Sequence, residues 1–484
     1  MSTEQPQGRG VDYTSVEAGY LEQRQLKKGA AGWVLLAGLG VSYVISGDFS
    51  GWNNGLAQGG FGGLLIATIL MAVMYTCMVF GLAEMASAMP VAGAGYGFAR
   101  RALGPLGGFA TGTAILIEYT IAPAAISVFI GGYVEALGLF GLTNGWPVYL
   151  VCYAIFVGVH LYGVGEALRL MFVITAIAVV GLVIFVVAMI PMIDLSRLTD
   201  IPPTDAVGAS SFLPFGYAGI LAAFVYGIWF FLAIEGVPLA AEEARDPRKD
   251  MPKGIVAAML VLLVFAGLIL IAAPGGAGSN ALKSSDNPLP AALRAVYGSN
   301  AVIADIVNYI GLAGLVASFF SIIYGYSRQL FALSRAGYLP RKLSVTGKRK
   351  TPILALLVPG AIGFILAAAT QNGAKLINIA VFGAAVSYVL MMVSHIVLRV
   401  REPNLPRPYR TPGGVVTTGI ALVLAAAAVV ATFLVDILAA GIMAGIFLLA
   451  LAYFWFYSRH HLVAQAPEEE FEAVRRATAE LEDP

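Results

Sequence analysis

The chain has 484 residues, of which 59% are hydrophobic and only 12% charged, with a formal net charge of +1. An ordinary soluble domain carries about 25% charged residues, so the composition excludes one; the near-neutral balance argues against a nucleic-acid binder, which shows a basic excess. Cys77 and Cys152 stand alone in apolar runs and the four histidines are scattered, a pattern that gives neither a disulfide framework nor a zinc spacing and leaves helix packing as the expectation for both thiols.

In chain order, residues 1–32 form a polar segment with no small-residue cleavage site behind a short apolar stretch. The first helix is therefore expected to be an uncleaved anchor rather than a signal peptide. Twelve apolar blocks follow, at roughly 33–57, 62–88, 107–137, 146–163, 167–190, 212–240, 254–273, 301–327, 352–370, 374–398, 415–434 and 436–458. About 20 mostly apolar residues span a bilayer as a helix, whereas a β-barrel would show short alternating segments. The expected fold class is all-α integral membrane with twelve transmembrane helices. With the N-terminus in the cytoplasm, 25 of the 29 Lys and Arg residues fall on the inner side and only Arg197, Lys283, Arg294 and Lys375 outside. A missing or invented span would destroy that asymmetry, which obeys the positive-inside rule. Both termini and a cell-membrane, multi-pass placement in the lipid bilayer follow. Residues 459–484 are expected to be a cytoplasmic tail, acidic and helix-prone from Pro467 and solvated, with a regulatory or partner-binding role as the alternative.

Two blocks are interrupted at their centres. The first reads GLGVSYVISGDFSGWNNGL from Gly38 to Leu56, with Ser46, Gly47 and Asp48 in its middle; the sixth reads VYGIWFFLAIEGVPLAAEE from Val225 to Glu243, with Glu235, Gly236 and Pro238 in its middle. Proline removes a backbone donor and clashes with the preceding turn, glycine costs a helix about 1 kcal/mol relative to alanine, and an Asp at the centre of a spanning helix costs about 2.5–3.5 kcal/mol on insertion scales. These costs fall on blocks one and six, five apart, as expected of transporters built from inverted five-helix repeats whose first helices are broken at a midplane binding site. Free N–H and C=O groups at such breaks can hold a polar solute that hydrocarbon rejects. Kinks with packing glycines are the competing explanation.

Five further stretches carry a resemblance. They are the break of block one, GLAEMASAMPVAGAGYGFARRALGP from Gly81 to Pro105, AAEEARDPRKDMPKGI from Ala240 to Ile255, SRQLFALSRAGYLPRKL from Ser327 to Leu343, and RVREPNLPRPYRTPGG from Arg399 to Gly414. Together they are similar to the amino acid–polyamine–organocation permeases from about Leu26 to about Tyr457. The resemblance implies a leucine-transporter-type five-plus-five inverted repeat, with repeats at 33–190 and 212–398 and two added helices at 415–458. It also implies alternating access, with substrate held between the breaks and transport driven by protons, sodium or exchange. Amino acid carriers of the family usually have a Gly-Ser-Gly-like run at the first break, whose amides hold the substrate carboxylate by helix-dipole logic. Here the third position is Asp48, which repels a carboxylate and attracts an ammonium in a low-dielectric site. The stretches Tyr20 to Ala57 and Phe230 to Pro252 look like the ethanolamine permease branch, and ethanolamine is an amino acid stripped of its carboxylate.

The expected function is proton-coupled import of ethanolamine, with sodium as the alternative ion and a permease or exchanger for another amine or an amino acid as the alternative carrier. Expected substrate contacts are Asp48 to the ammonium, Ser46 and Gly47 beside it, Tyr43, Ser50 and Trp52 within two turns, with packing as their alternative, and Phe230, Phe231 and Ala233 ahead of Glu235, where a ring face could meet the cation. Glu118, in LIEYTIAP, is an intramembrane acid with substrate, proton or helix-pairing roles open. By family analogy Ser318, Phe319 and Ser321 would face the site. Asp48, Glu118 and Glu235 are the coupling candidates and Phe231 a gating candidate. Some family members carry a coupling lysine near the position of Thr175, but the fifth block has none. His160 and His395 are expected to pack. Glu84, Arg100 and Arg101, and Glu242, Glu243, Arg245 and Asp246, are read as inner-gate and loop salt links. No metal ligand set or cofactor is expected. An enzyme is disfavoured because no nucleophile–base pair or phosphate loop lies between blocks, a channel because the polar positions cluster at two breaks, and a sensor because the tail is too short for a signalling domain.

Overall fold

A computed structural model describes residues 11–14, 20, 31–89, 93–138, 144–163, 165–464, 466 and 469. Sixteen α-helices are formed among them: α1 Trp33–Val44, α2 Ser46–Phe49, α3 Asn54–Ala88, α4 Gly95–Ala136, α5 Trp146–Tyr162, α6 Gly165–Met189, α7 Leu195–Leu198, α8 Gly216–Trp229, α9 Pro247–Ala277, α10 Ser279–Leu282, α11 Pro288–Tyr297, α12 Val302–Arg335, α13 Ile353–Thr370, α14 Gly373–Arg401, α15 Val415–Val435 and α16 Ile437–Phe456. Ten helical segments are long and apolar enough to cross a membrane, and two shorter apolar helices, α1 and α5, occupy the first and fourth expected blocks. Apolar side chains face outward along them, as at Val180, Val187, Leu260, Leu448 and Leu449. That arrangement suits hydrocarbon as the solvent, with the backbone of the continuous helices hydrogen-bonded within its own segment.

Inside, small residues let backbones approach, which is how helices associate where lipid removes the hydrophobic drive. On α15, Ala421, Ala425, Ala428 and Thr432 are buried at helical spacing, and α15 packs on α14, α3 and α8. Extensive pairings also join α14 with α4, α3 with α8, α12 with α4, and α1 with α9, and α1 packs against the 3-10 helix of the sixth block.

Both breaks differ from the expected pattern by about a turn. α1 ends at Val44 and α2 resumes at Ser46, so Ser46, Gly47 and Asp48 are helical, and the chain turns away at Ser50, which is extended, and Gly51, at φ +94°. A side chain at position 51 would be strained and would press on the Trp229 indole and on Ile377. In the sixth block α8 ends at Trp229, Phe230 to Ala233 form a turn, and a 3-10 helix runs through Ile234–Glu243. The break thus precedes Glu235 and Pro238 instead of falling on them. Ala233 turns the chain with φ +78°, a left-handed conformation that costs a non-glycine residue roughly 1–2 kcal/mol.

At the end of the bundle that carries the termini, buried ion pairs tie elements together. Glu84 at the end of α3 accepts from Arg399 at 2.7 Å and from the Thr411 amide at 2.7 Å, and pairs with Arg407 at 2.9 Å and His395 at 3.3 Å. Arg101 pairs with Glu402 at 2.6 Å. The expectation of a solvated tail is corrected at Glu469, which is buried and pairs with Arg100 at 2.5 Å. The hydroxyls of Tyr13 and Tyr338 also donate to it, at 3.1 and 3.0 Å. Beneath it, Val11, Tyr13, Leu462 and Val463 pack with Tyr96, Phe109 and Phe454. The side chains of Glu242 and Glu243 and most of the tail lie outside the described residues.

Candidate functional site

Two serine pairs join α1 and its continuation α2 to α12. Ser42 and Ser321 hydroxyls are 2.6 Å apart, with Ser42 also 3.2 Å from the Ala317 carbonyl. One turn on, Ser46 and Ser318 are 2.8 Å apart, and Ser318 donates to the Tyr43 carbonyl at 2.7 Å. Of the three α12 residues named by family analogy, Ser318 and Ser321 bond to α1 and α2. Phe319 does not; its ring packs on Tyr153 of α5 at 4.8 Å and on Phe156. A small cavity of about 30 Å³, opening to solvent, lies between α1, α6, α12 and Ala240 and reaches Ser42 and Ser321. Its lining includes none of Asp48, Glu118 or Glu235.

Beyond the serine seam, α3, α4, α14 and the 3-10 helix converge on buried acids. Glu235 accepts from Tyr119 at 2.9 Å and from Tyr388 at 3.0 Å. Tyr388 also lies 3.5 Å from Glu118, and Tyr75 donates to the Tyr388 hydroxyl at 2.9 Å. Tyr388 thus bridges the two acids, while Glu118 Oε2 has no hydrogen-bond partner among the described residues. All five residues are buried. Sequence reading singled out the two acids but not their shared partners Tyr75, Tyr119 and Tyr388. Tyr119 stands next to Glu118 in the chain, while Tyr75 and Tyr388 are two among 21 tyrosines and carry no distinguishing local signal.

The third cluster surrounds the end of α8. Gly47 lies against the Trp229 carbonyl and Phe230, so close that an added Cβ would be 3.1 Å from the Trp229 carbonyl carbon and 3.2 Å from Phe230 Cα. Phe230 stacks on Trp52 at 5.7 Å and Phe231 tilts against Tyr75 at 5.4 Å. Tyr43 stacks on Tyr119 at 6.3 Å. Asp48 is 1% exposed, and neither of its carboxylate oxygens has a hydrogen-bond partner among the described residues. Leaving a buried polar group unmatched costs about 1–3 kcal/mol. Asp48 is thus distinct from Glu235, whose two oxygens are both occupied.

The remaining candidates are bonded locally. His160 bonds the Phe156 carbonyl at 2.7 Å, His395 joins Thr418 and Thr411 beside Glu84, and Thr175 caps back onto the Met171 carbonyl at 2.7 Å. Cys77 and Cys152 are free thiols.

The amino acid permease family model matches residues 34–470. The chain is 30% identical over 411 residues to an uncharacterized transporter of Rhizobium meliloti, covering 82% of this chain and 85% of that one. It is 31% identical over 385 residues to the branched-chain amino acid permease BcaP of Bacillus subtilis, covering 74% and 78%. A methylthioribose transporter of Bacillus subtilis is 27% identical over 388 residues, covering 77% and 82%. Multi-pass apolar architecture, broken helices around buried polar clusters, and a family match over nearly the whole chain agree: this chain belongs to the amino acid permease family, a family of membrane transporters.

Proposed function

We propose that the chain is a secondary active transporter that imports ethanolamine across the cytoplasmic membrane by alternating access, coupled to protons. The observation that carries the reading is Asp48, a buried carboxylate with neither oxygen bonded within the protein. An ammonium is the partner that satisfies such a group in a low-dielectric site, and a substrate carboxylate is repelled by it. Ser46 and Gly47 supply the adjacent hydroxyl and close backbone approach, and Phe230 and Phe231 close the site from α8. The Glu118–Glu235 pair is the proton-coupling element in this reading. Tyr388 bridges the two buried acids, and like charges held near each other in a low-dielectric site do not both ionise, so the pair retains a proton. Twelve spans in two inverted five-helix repeats, 33–190 and 212–398, with two added helices and cytoplasmic termini, complete the proposed architecture. The cavity between α1, α6 and α12 is then the cytoplasmic path to the site.

A carrier for another amine or for an amino acid is the second reading, favoured by the similarity to a branched-chain amino acid permease. Uptake of radiolabelled ethanolamine into proteoliposomes under an imposed proton gradient, wild type beside Asp48→Asn, decides between them. Gradient-driven uptake lost in the variant supports the amine symporter. Uptake of leucine or another amino acid without ethanolamine keeps the family and refutes the substrate.

A further inference from the structure

Trp52 stands in the turn after α2, fully buried, and its ring is stacked on Phe230. Its indole N–H has no hydrogen-bond partner among the described residues. The neighbouring indole at the same junction, Trp229, donates to the Ser50 carbonyl at 2.9 Å. Two indoles therefore meet the same helix break, one matched inside the protein and one not. Other buried atoms lack partners, as on Asn308 and Asn378, but those amides already donate through their nitrogens, at 3.0 and 3.2 Å. Among the described residues the side chains of Asp48 and Trp52 make no hydrogen bond, nor do the hydroxyls of Thr68 on α3 and Tyr153 on α5. Asp48 and Trp52 lie four positions apart at the break, with Gly47, next to Asp48, seated on the backbone of Trp229 and Phe230, and Trp52 stacked on the Phe230 ring. One is an acceptor only, the other a donor only.

A ligand that matches both must bring a strong donor and, close by, an acceptor. An amine alone matches half. An amine with a hydroxyl on the adjacent carbon matches both, since the hydroxyl oxygen accepts while the ammonium donates. We propose that Trp52 is the specificity-determining residue for a vicinal amino alcohol: its indole N–H donates to the substrate hydroxyl while Asp48 holds the ammonium. This rests on the amine reading of Asp48 given above. A site built to hydrogen-bond a substrate hydroxyl rejects the analogue that lacks it, because its buried donor is then left unpaired.

The test is competition binding on the purified protein with ethanolamine and with n-propylamine, which replaces the hydroxyl by a methyl of similar size. Wild type should bind ethanolamine at least about tenfold more tightly. Trp52→Phe keeps the ring against Phe230 and removes the N–H; it should weaken ethanolamine about tenfold, leave propylamine unchanged and bring the two to parity. Equal wild-type affinities overturn the inference without any variant. So does a Trp52→Phe protein that retains the preference, or that loses both amines equally, which marks a packing role. Binding of neither amine by wild type, with binding of a branched-chain amino acid, overturns the amine reading itself and this inference with it.

Discussion

Gly47 offers the sharpest test of how the site is held together. Replacing it by alanine places a methyl 3.1 Å from the Trp229 carbonyl carbon and 3.2 Å from Phe230 Cα, with the carbonyl oxygen nearer still. Carbon atoms rest at about 3.5–4.0 Å, so α2 and the end of α8 must separate by roughly half an ångström or more. Both obstacles are backbone, which cannot rotate away as a side-chain tip would. Overpacking of this kind costs about 1–3 kcal/mol. If that cost falls on the substrate-loaded arrangement, binding weakens about 5- to 150-fold, at 1.4 kcal/mol per tenfold. Equilibrium binding on purified Gly47→Ala measures the effect, with Gly419→Ala as the control because a Cβ there meets nothing within 4 Å. Gel filtration and thermal melting report whether the variant is folded. A folded Gly47→Ala protein that binds and transports like wild type would refute the close seating of α2 on Trp229 and the site built on it.

Further outcomes follow from the polar clusters. Glu235→Gln and Tyr388→Phe should each make uptake insensitive to an imposed proton gradient while exchange of preloaded substrate persists; retained gradient dependence in both would remove the acid pair from coupling. Glu469→Leu, which leaves Arg100 buried and unpaired, should cost about 3–5 kcal/mol of tail docking and expose the tail to protease, whereas pairing it with Arg100→Met should restore protection, since an apolar replacement of a buried ion pair is often neutral or better. In the loop before α11, burial first and then nearby Glu135 hold the Asp286 carboxyl above its ordinary value of 3.8. Its native form then binds the proton more tightly than the unfolded chain, so its contribution is intact below about pH 4 and is lost as pH rises through the native value. Asp286→Asn should accordingly raise the melting temperature at pH 7 relative to wild type and leave it level near pH 4.

Much of this was legible in the sequence because the bilayer imposes a local rule. A segment of about 20 apolar residues can satisfy its backbone only as a helix, so the apolar blocks, the acids inside them and the disturbed first and sixth blocks all show in one dimension. Glu118, Glu235 and Asp48 stood out because a carboxyl in hydrocarbon is costly wherever it occurs. What the tertiary structure decided is partnership. Whether an acid is matched depends on residues 116 and 153 positions away, Tyr119 and Tyr388 for Glu235, and Asp48 differs from it only in having no such partner. The backbone leaves helix at Ser50 and Gly51 and after Trp229, a few residues from the glycine and proline that marked the blocks. Glu469 reads as one acid in a polar tail until Arg100, 369 residues earlier, captures it in a buried pair. Hydropathy and backbone chemistry belong to a residue and its neighbours in sequence, whereas hydrogen-bond matching belongs to whichever groups the fold brings within 3 Å.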